Sequence, residues 1–311
     1  MGQPVSRMAR WGRDTQLSVR MFVVMFLLAA VYLAFIAVLA AYGVRFVPLA
    51  VIAVGLLAVQ YFMSDKIALW SMGAHEVSPQ EAPELHAVID RLAASIDLPK
   101  PRVAIADTPM PNAFATGRNP KNAVVAVTTG IMQRLDPQEL EAVLAHELSH
   151  IRNRDVMVMT LASFFAMVAQ LMMRWMFWGG MYGGMGDRGG DRRDGGGGAG
   201  AMALIYVASI LVWIISFFLI RALSRYRELA ADRGSAIITG APSHLMSALM
   251  KISGVMNRIP DRDLREVQQM NAFFIIPAIH ADSFSSLLST HPSLETRLER
   301  LRALSREMEG L

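Results

Sequence analysis

Four stretches of this chain carry almost no charge and are dense in Leu, Val, Ala, Ile, Met and Phe. Nothing else in it constrains the fold as strongly. A backbone in hydrocarbon has to satisfy its own hydrogen bonds, and a helix of about 20 residues does so across a bilayer core of about 30 Å. Residues 21–42 are uncharged throughout and long enough to span. Residues 46–63 follow after only Gly43-Val44-Arg45, so the two runs predict a helical hairpin with a very short loop. A cleaved signal peptide is the competing reading of the first run, but the run is too long for one and a second follows at once. Residues 156–178 are less clean, because Thr160, Ser163, Gln170 and Arg174 interrupt them; an interfacial amphipathic helix is the alternative there. Residues 201–220 form a clean fourth stretch.

Four crossings would put both termini on one side of the membrane. Arg7, Arg10, Arg13 and Arg20 precede the first run, and Arg221, Arg225 and Arg227 follow the fourth, so that side is expected to be the cytoplasm. The glycine-rich segment 179–200 carries three Arg and three Asp and gives no sign preference. The expected organisation is therefore a basic N-terminus and membrane hairpin (1–63), a soluble part (64–155), a second membrane pair with its flexible glycine-rich loop (156–220), and a second soluble part (221–311). In the first soluble part, Ser78-Pro79-Gln80-Glu81 has the form of a helix start running to about Ser95. Short β-like runs at 102–106, 113–116 and 123–128 predict a small sheet. Asp136-Pro137-Gln138-Glu139 repeats the cap signature and opens another helix. The second soluble part reads as helical at 243–256 and 293–308. The fold class expected is a mainly α membrane protein with about four transmembrane helices and a cytoplasmic α+β domain.

The chain has no cysteine and seven histidines, so disulfides, thiolate metal sites and cysteine nucleophiles are excluded. The net charge of +4 comes without any Lys/Arg run interleaved with aromatics, and a nucleic-acid partner is not expected. The chemistry concentrates in His146-Glu147-Leu148-Ser149-His150. Histidines four apart on a helix share a face, one turn from each other, and both imidazoles can reach one zinc ion. Glu147 borders that face and is placed to take a proton from the attacking water instead of binding metal. His75-Glu76 has no second histidine and carries no such reading. A catalytic zinc needs a third protein ligand, which here must be His, Glu or Asp. Glu228 lies about eight residues past the fourth run, and His150 about six before the third, so antiparallel helices would bring them level. A solvated helix charge is the other reading of Glu228. Asp232, one turn on, faces the same way and could orient a ligating histidine. His86 and His244 read as helix-surface positions, His280 and His291 as loop residues.

These parts, in this order, resemble the HtpX-type membrane zinc proteases, relatives of the Ste24 prenyl-protein proteases. The resemblance rests on the paired N-terminal spans, Pro111-Asn112-Ala113-Phe114-Ala115-Thr116-Gly117, the zinc box with Ile151-Arg152-Asn153-Arg154-Asp155, Arg225-Tyr226-Arg227-Glu228-Leu229-Ala230-Ala231-Asp232, and Ser289-Thr290-His291-Pro292. Together they cover nearly the whole chain. The resemblance implies a zincin-like protease domain with one zinc per chain on His146, His150 and Glu228. It implies a substrate-binding edge strand at Asn112, Ala113, Phe114 and Ala115, and His291 near the oxyanion. It also implies polypeptide substrates, misfolded or membrane-embedded, cut at the cytoplasmic face of the inner or plasma membrane in stress-linked quality control. The glycine-rich loop is longer than the family pattern.

Other classes fit less well. A protease cutting inside the bilayer would carry its zinc box in an apolar span, whereas Arg134, Asp136, Glu139, Glu141, Arg152, Arg154 and Asp155 surround this one. A di-iron membrane enzyme needs many more clustered histidines. A zinc-binding scaffold without activity would typically have lost Glu147.

Overall fold

The structure is a computed structural model that describes residues 14–42, 47–183, 196–256 and 289–310. The basic cluster before Arg13, the 43–45 connection, most of the glycine-rich loop and His280 lie outside the described residues.

Helix α1 (Thr15–Ala41) starts on Asp14, whose Oδ1 accepts a bond from the Leu17 N–H at 2.9 Å. Helix α2 (Val47–Ser71) covers the second apolar run. The later pair is α6 (Asp155–Gly183) and α7 (Gly196–Thr239). Among the described residues α1 and α7 are long and apolar enough to cross a membrane, with a third crossing if α6 and the helix before it, bent by 53°, count as one. That gives two or three crossings where the sequence predicts four. The connection of the expected hairpin lies outside the described residues, and the larger contacts of its two helices are with the later pair. Helix α1 lies along α7, and α2 along α6. Val24, Leu28, Tyr32, Phe35 and Leu39, spaced by three and four, bury one stripe of α1 against Ala169, Ile205, Val212 and Leu223. Tyr32 Oη donates to the Ala162 carbonyl at 2.6 Å. The opposite face, with Phe22, Phe26 and Leu33, is exposed and suits lipid.

Helix α7 corrects the expected boundary at 220/221. It is one helix of 44 residues, about 66 Å long, carrying both the apolar run and Glu228. No proline falls within it, and it stops where Gly240 adopts a left-handed φ of 73° just before Pro242. Both its start and the end of α6 extend into the segment read as loop, because a helix leaving the membrane keeps its backbone bonds whatever its side chains.

The soluble part holds a four-stranded sheet of order β1-β2-β4-β3, from β1 (Ala74–Glu76), β2 (Arg102–Ala106), β3 (Ala113–Thr116) and β4 (Val124–Thr128). Three strands match the sequence expectation. Strand β1, at three residues, is too short to show an alternating pattern. Strands β2 and β4 pair in parallel, and every residue of β4 is buried, as a central strand covered on both faces requires. Strand β3 pairs antiparallel with β4 alone, leaving its other edge unpaired within the sheet. Gly117, at φ 115°, turns the chain after β3, and a β-carbon there would lie 2.3 Å from the Asn122 carbonyl.

Helix α3 (Pro83–Ser95) starts four residues later than predicted. Half of the expected cap does form, with the Ser78 N–H donating to Glu81 Oε2 at 2.6 Å, while the Ser78 hydroxyl also donates to that oxygen at 2.8 Å and leaves the Glu81 N–H to the Ser78 carbonyl. Pro83, however, keeps Ala82 out of the helical region (φ −136°, ψ 63°), so the helix begins only at the proline. His86 is buried, not on the surface: its Nε2 lies 3.0 Å from the Val77 carbonyl, on the stripe it shares with Leu85 and Ile89. After β4 come α4 (Thr129–Met132), α5 (Pro137–Arg152), α8 (Pro242–Met256) and α9 (Leu294–Glu309). Leu144 and Leu148 of α5 pack with Ile89, Val103, Val125, Leu249 and Leu301 into one core between sheet and helices.

Candidate metal centre

Helix α5 is fixed at its start by its own sequence. The Asp136 N–H donates to Glu139 Oε2 at 2.9 Å. Glu139 also accepts from Ser247 Oγ at 2.6 Å and Lys251 Nζ at 2.7 Å, both on α8. Far along the chain, with the partners Ala142 and Ser235 93 residues apart, α7 crosses α5 at very close range. A β-carbon on Gly234 would meet Ser149 Oγ at 2.3 Å, and Ser235 Oγ donates to the Ala142 carbonyl at 2.6 Å. That crossing sets Glu228 opposite the paired histidines.

The Nε2 atoms of His146 and His150 are 3.1 Å apart. Glu228 Oε2 lies 3.7 Å from His146 Nε2, and Oε1 lies 3.5 Å from His150 Nε2. Ligands about 2.1 Å from a tetrahedral zinc stand about 3.4 Å from one another. The observed separations bracket that value, so the donor set fits zinc with one corner left open. The three residues form the cluster expected from the sequence, with all ligand atoms within 4.8 Å. Glu228 is buried with its carboxylate turned toward three imidazoles, Oε2 3.7 Å from His146 Nε2 and 3.2 Å from His291 Nδ1, a setting in which a cation shared with the histidines is well matched by charge.

Each imidazole is oriented from behind by a carboxylate. Asp232 Oδ1 lies 3.0 Å from His146 Nδ1, as its place one turn after Glu228 implies. Asp155 Oδ2 lies 2.6 Å from His150 Nδ1. This second role was not read from the sequence. Five residues along a regular helix Asp155 would point about 140° away from His150. Arg154, at φ 56°, breaks the helix and turns the chain so that Asp155 comes back to the ring. Two arginines complete the shell. Arg227 Nε sits 2.9 Å from Asp155 Oδ1, and Arg297 on α9 grips Asp232 through Nε at 2.8 Å and Nη2 at 2.6 Å. Arg297 is only 2 % exposed. A signal for it existed: it occupies the apolar stripe of α9 with Leu294, Leu301 and Leu304, where a lone arginine needs a buried partner.

The charges interlock. Burial works against protonated His146, yet Asp232 and Glu228 carry its pKa up to about 9 in the metal-free protein. Burial works upward on Glu228, but His291 and His146 hold its carboxyl well below the usual range. Asp155 is likewise depressed against burial by His150 and Arg227. Burial pushes the Glu147 carboxyl up, only partly opposed by His146 and His150, which moves it toward the range useful to a general base.

Glu147, 4 % exposed, sits beside the histidines in a cleft of about 300 Å³. Ala113, Phe114, Ala115 and Thr116 of the β3 edge form one wall, and His291 and Thr290 another. His291 Nδ1 lies 3.2 Å from Glu228 Oε2. Asn112 does not line the cleft. Its N–H donates to Thr128 Oγ1 at 2.9 Å and its carbonyl accepts from the Thr128 N–H at 2.9 Å, so its backbone is already engaged with β4.

Comparison with known proteins agrees with this geometry. The family model described as peptidase family M48 matches residues 79–305. A "Protease HtpX homolog" of Moorella thermoacetica is 62 % identical over 299 residues, covering 96 % of this chain and 97 % of its own. A "Protease HtpX homolog 2" of Methanosarcina acetivorans is 56 % identical over 300 residues, covering 96 % of this chain and 99 % of its own. Among solved structures, the crystal structure of S. mikatae Ste24p superposes with a TM-score of 0.53 at 18 % identity, over 93 % of this chain and 67 % of that one. At that identity the likeness concerns the fold.

Proposed function

The chain belongs to peptidase family M48 and is a membrane metalloprotease of the HtpX type, and from that footing we propose a zinc endopeptidase that cuts extended segments of misfolded or membrane proteins at the cytoplasmic face. One observation carries the reading. The three-residue cluster, the buried Glu147 and the open β3 edge share a single cleft. His146, His150 and Glu228 would hold the zinc, one per chain. Bound there, zinc would act as a Lewis acid toward the scissile carbonyl and acidify the attacking water.

The protein's own groups supply the rest. An extended substrate adds to the free edge at residues 113–116 through main-chain bonds, which asks little of its side chains. Glu147 accepts the proton of the attacking water and delivers it to the leaving amine. His291, beside Glu228, donates to the developing oxyanion. Asp232 and Asp155 keep each imidazole turned so that Nε2 faces the metal.

Four crossings with both termini in the cytoplasm remain the preferred topology. Helix α2 and the apolar part of α6 supply the two crossings beyond α1 and α7, and the arginines after residue 220 favour the cytoplasmic side. A role in stress-linked quality control fits a cleft with so little side-chain selectivity.

The experiment is Glu147→Gln. It should retain about one zinc per chain, read by metal analysis, and lose cleavage of an unfolded protein such as casein by about three orders of magnitude or more. Unchanged cleavage would remove Glu147 from the mechanism. No cleavage by the unaltered protein, at full zinc occupancy, would favour the zinc-binding scaffold.

A further inference from the structure

The apolar runs of the two membrane pairs are not uniformly apolar where they meet. Next to the catalytic cleft, α2, α6 and α7 line an open groove of about 320 Å³, in which Ser163 is half-buried and Gln60 and Gln170 are exposed. Gln60 of α2 lines both this groove and the cleft, so the two adjoin. One face of α6 lines it through Ser163, Ala166, Met167 and Gln170, spaced 0, 3, 4 and 7. Ser163 and Gln170 are two of the polar interruptions that the third apolar run carries. Two turns separate them, about 10 Å, so they mark successive positions along α6. The side chains of Gln60, Ser163 and Gln170 make no hydrogen bond or ion pair among the described residues.

Polar side chains in a membrane-spanning region are costly unless something pairs with them. A lipid tail has no hydrogen-bonding group and leaves all three unsatisfied. A peptide segment drawn out of a membrane helix has the opposite problem, because its released N–H and C=O groups lack partners in hydrocarbon. Carboxamides, which both donate and accept, match that need. We propose that this seam receives an extended, unwound segment of a membrane-protein substrate and leads it past Gln60 onto the β3 edge. The substrate class follows: proteins in which the residues flanking the scissile bond are themselves embedded. This rests on the membrane-protein reading of the site above.

The chain contains no cysteine, so single cysteines can be placed at will. In a Glu147→Gln background, Ser163→Cys and Gln170→Cys are paired with a membrane substrate carrying one cysteine on the membrane side of its cleavage site, under mild oxidant. Both should form a disulfide-linked complex, and Leu161→Cys, on the exposed face of α6, should not. Equal linking from Leu161→Cys, or none from the seam while the unaltered protein cleaves that substrate, overturns the seam and leaves the protease reading intact. Failure of the unaltered protein to cleave any membrane substrate, with casein still cut, overturns the membrane-substrate reading itself and the seam with it. A second measurement needs no cross-link. Gln170→Leu should lower the ratio of kcat/KM for a membrane-anchored substrate to that for casein by about tenfold, the size of one or two hydrogen bonds between membrane segments. An unchanged ratio also overturns the proposal.

Discussion

Gly234→Ala tests whether the crossing of α5 and α7 sets the metal geometry. The added β-carbon would stand 2.3 Å from Ser149 Oγ and 2.8 Å from Ser149 Cβ. Rotating Ser149 would move its hydroxyl, at the loss of its 2.8 Å bond to the Ala145 carbonyl, but cannot move its Cβ. Non-bonded carbons rest at about 3.5–4.0 Å, so the helices must part by about 0.7 Å. Metal-ligand distances tolerate about 0.2 Å. His150 is the next residue after Ser149, and Glu228 is six residues before Gly234 on the same rigid helix, so the opening reaches the ligands directly. Overpacking of this kind costs about 1–3 kcal/mol. If that falls on the metal site, zinc affinity drops about ten- to hundredfold. Titration against a competing chelator in detergent measures it, with the melting temperature of the metal-free protein alongside. Ser149→Gly in the same chain removes both clashing atoms and should restore most of the affinity. Zinc affinity unchanged in Gly234→Ala, or equally poor with Ser149→Gly added, would refute the idea that this contact spaces the two ligand helices.

Glu228→Ala should strip zinc from the purified protein; full occupancy by metal analysis would remove Glu228 from the ligand set. Asp155→Asn should weaken zinc binding by about 10- to 100-fold while the fold survives, because His150 loses the group that fixes its ring; circular dichroism separates this from unfolding. Arg297→Met leaves buried Asp232 with His146 as its remaining charged partner, and should cost about 3 kcal/mol of stability, with less lost in the double change Arg297→Met/Asp232→Leu. The metal-free protein should melt lower as pH rises. His146 is raised to about 9 when folded, against about 6.5 when unfolded, so its contribution is full below about 6.5 and is lost as pH climbs through 9. Asp232→Asn should flatten that profile, and a flat profile in the unaltered protein would count against the coupling. The zinc-loaded protein should trend oppositely on the acid side, since protons compete for the same imidazoles.

Much of the site was legible because its motifs are local. Four-residue spacing puts His146 and His150 on one helix face whatever surrounds them, and the Asp136 cap that starts their helix is written in four residues. Three strands were readable from short apolar runs bounded by Pro, Gly and Asn. Where local signals conflicted, tertiary context chose. The helix start at Ser78 gave way to Pro83, and the glycines of the loop continued helices instead of ending them. His86 looked like a surface residue because its partner, the Val77 carbonyl, is a backbone group that no side-chain pattern announces.

The sequence by itself determined the family, the membrane setting and the candidate chemistry: a two-histidine box with its glutamate, and a resemblance that pointed to Glu228 as the third member of the cluster. The tertiary structure decided the arrangement. It showed that α1 and α2 are each held by a later helix, that Asp155 returns to His150 through a left-handed Arg154, and that Arg297 from the last helix locks Asp232. It also took Asn112 out of the cleft by committing its backbone to Thr128. The physical reason is common to all of these. A ligand pair one helical turn apart is fixed by local geometry, whereas a buried charge or an open strand edge is defined only by what the rest of the chain brings against it.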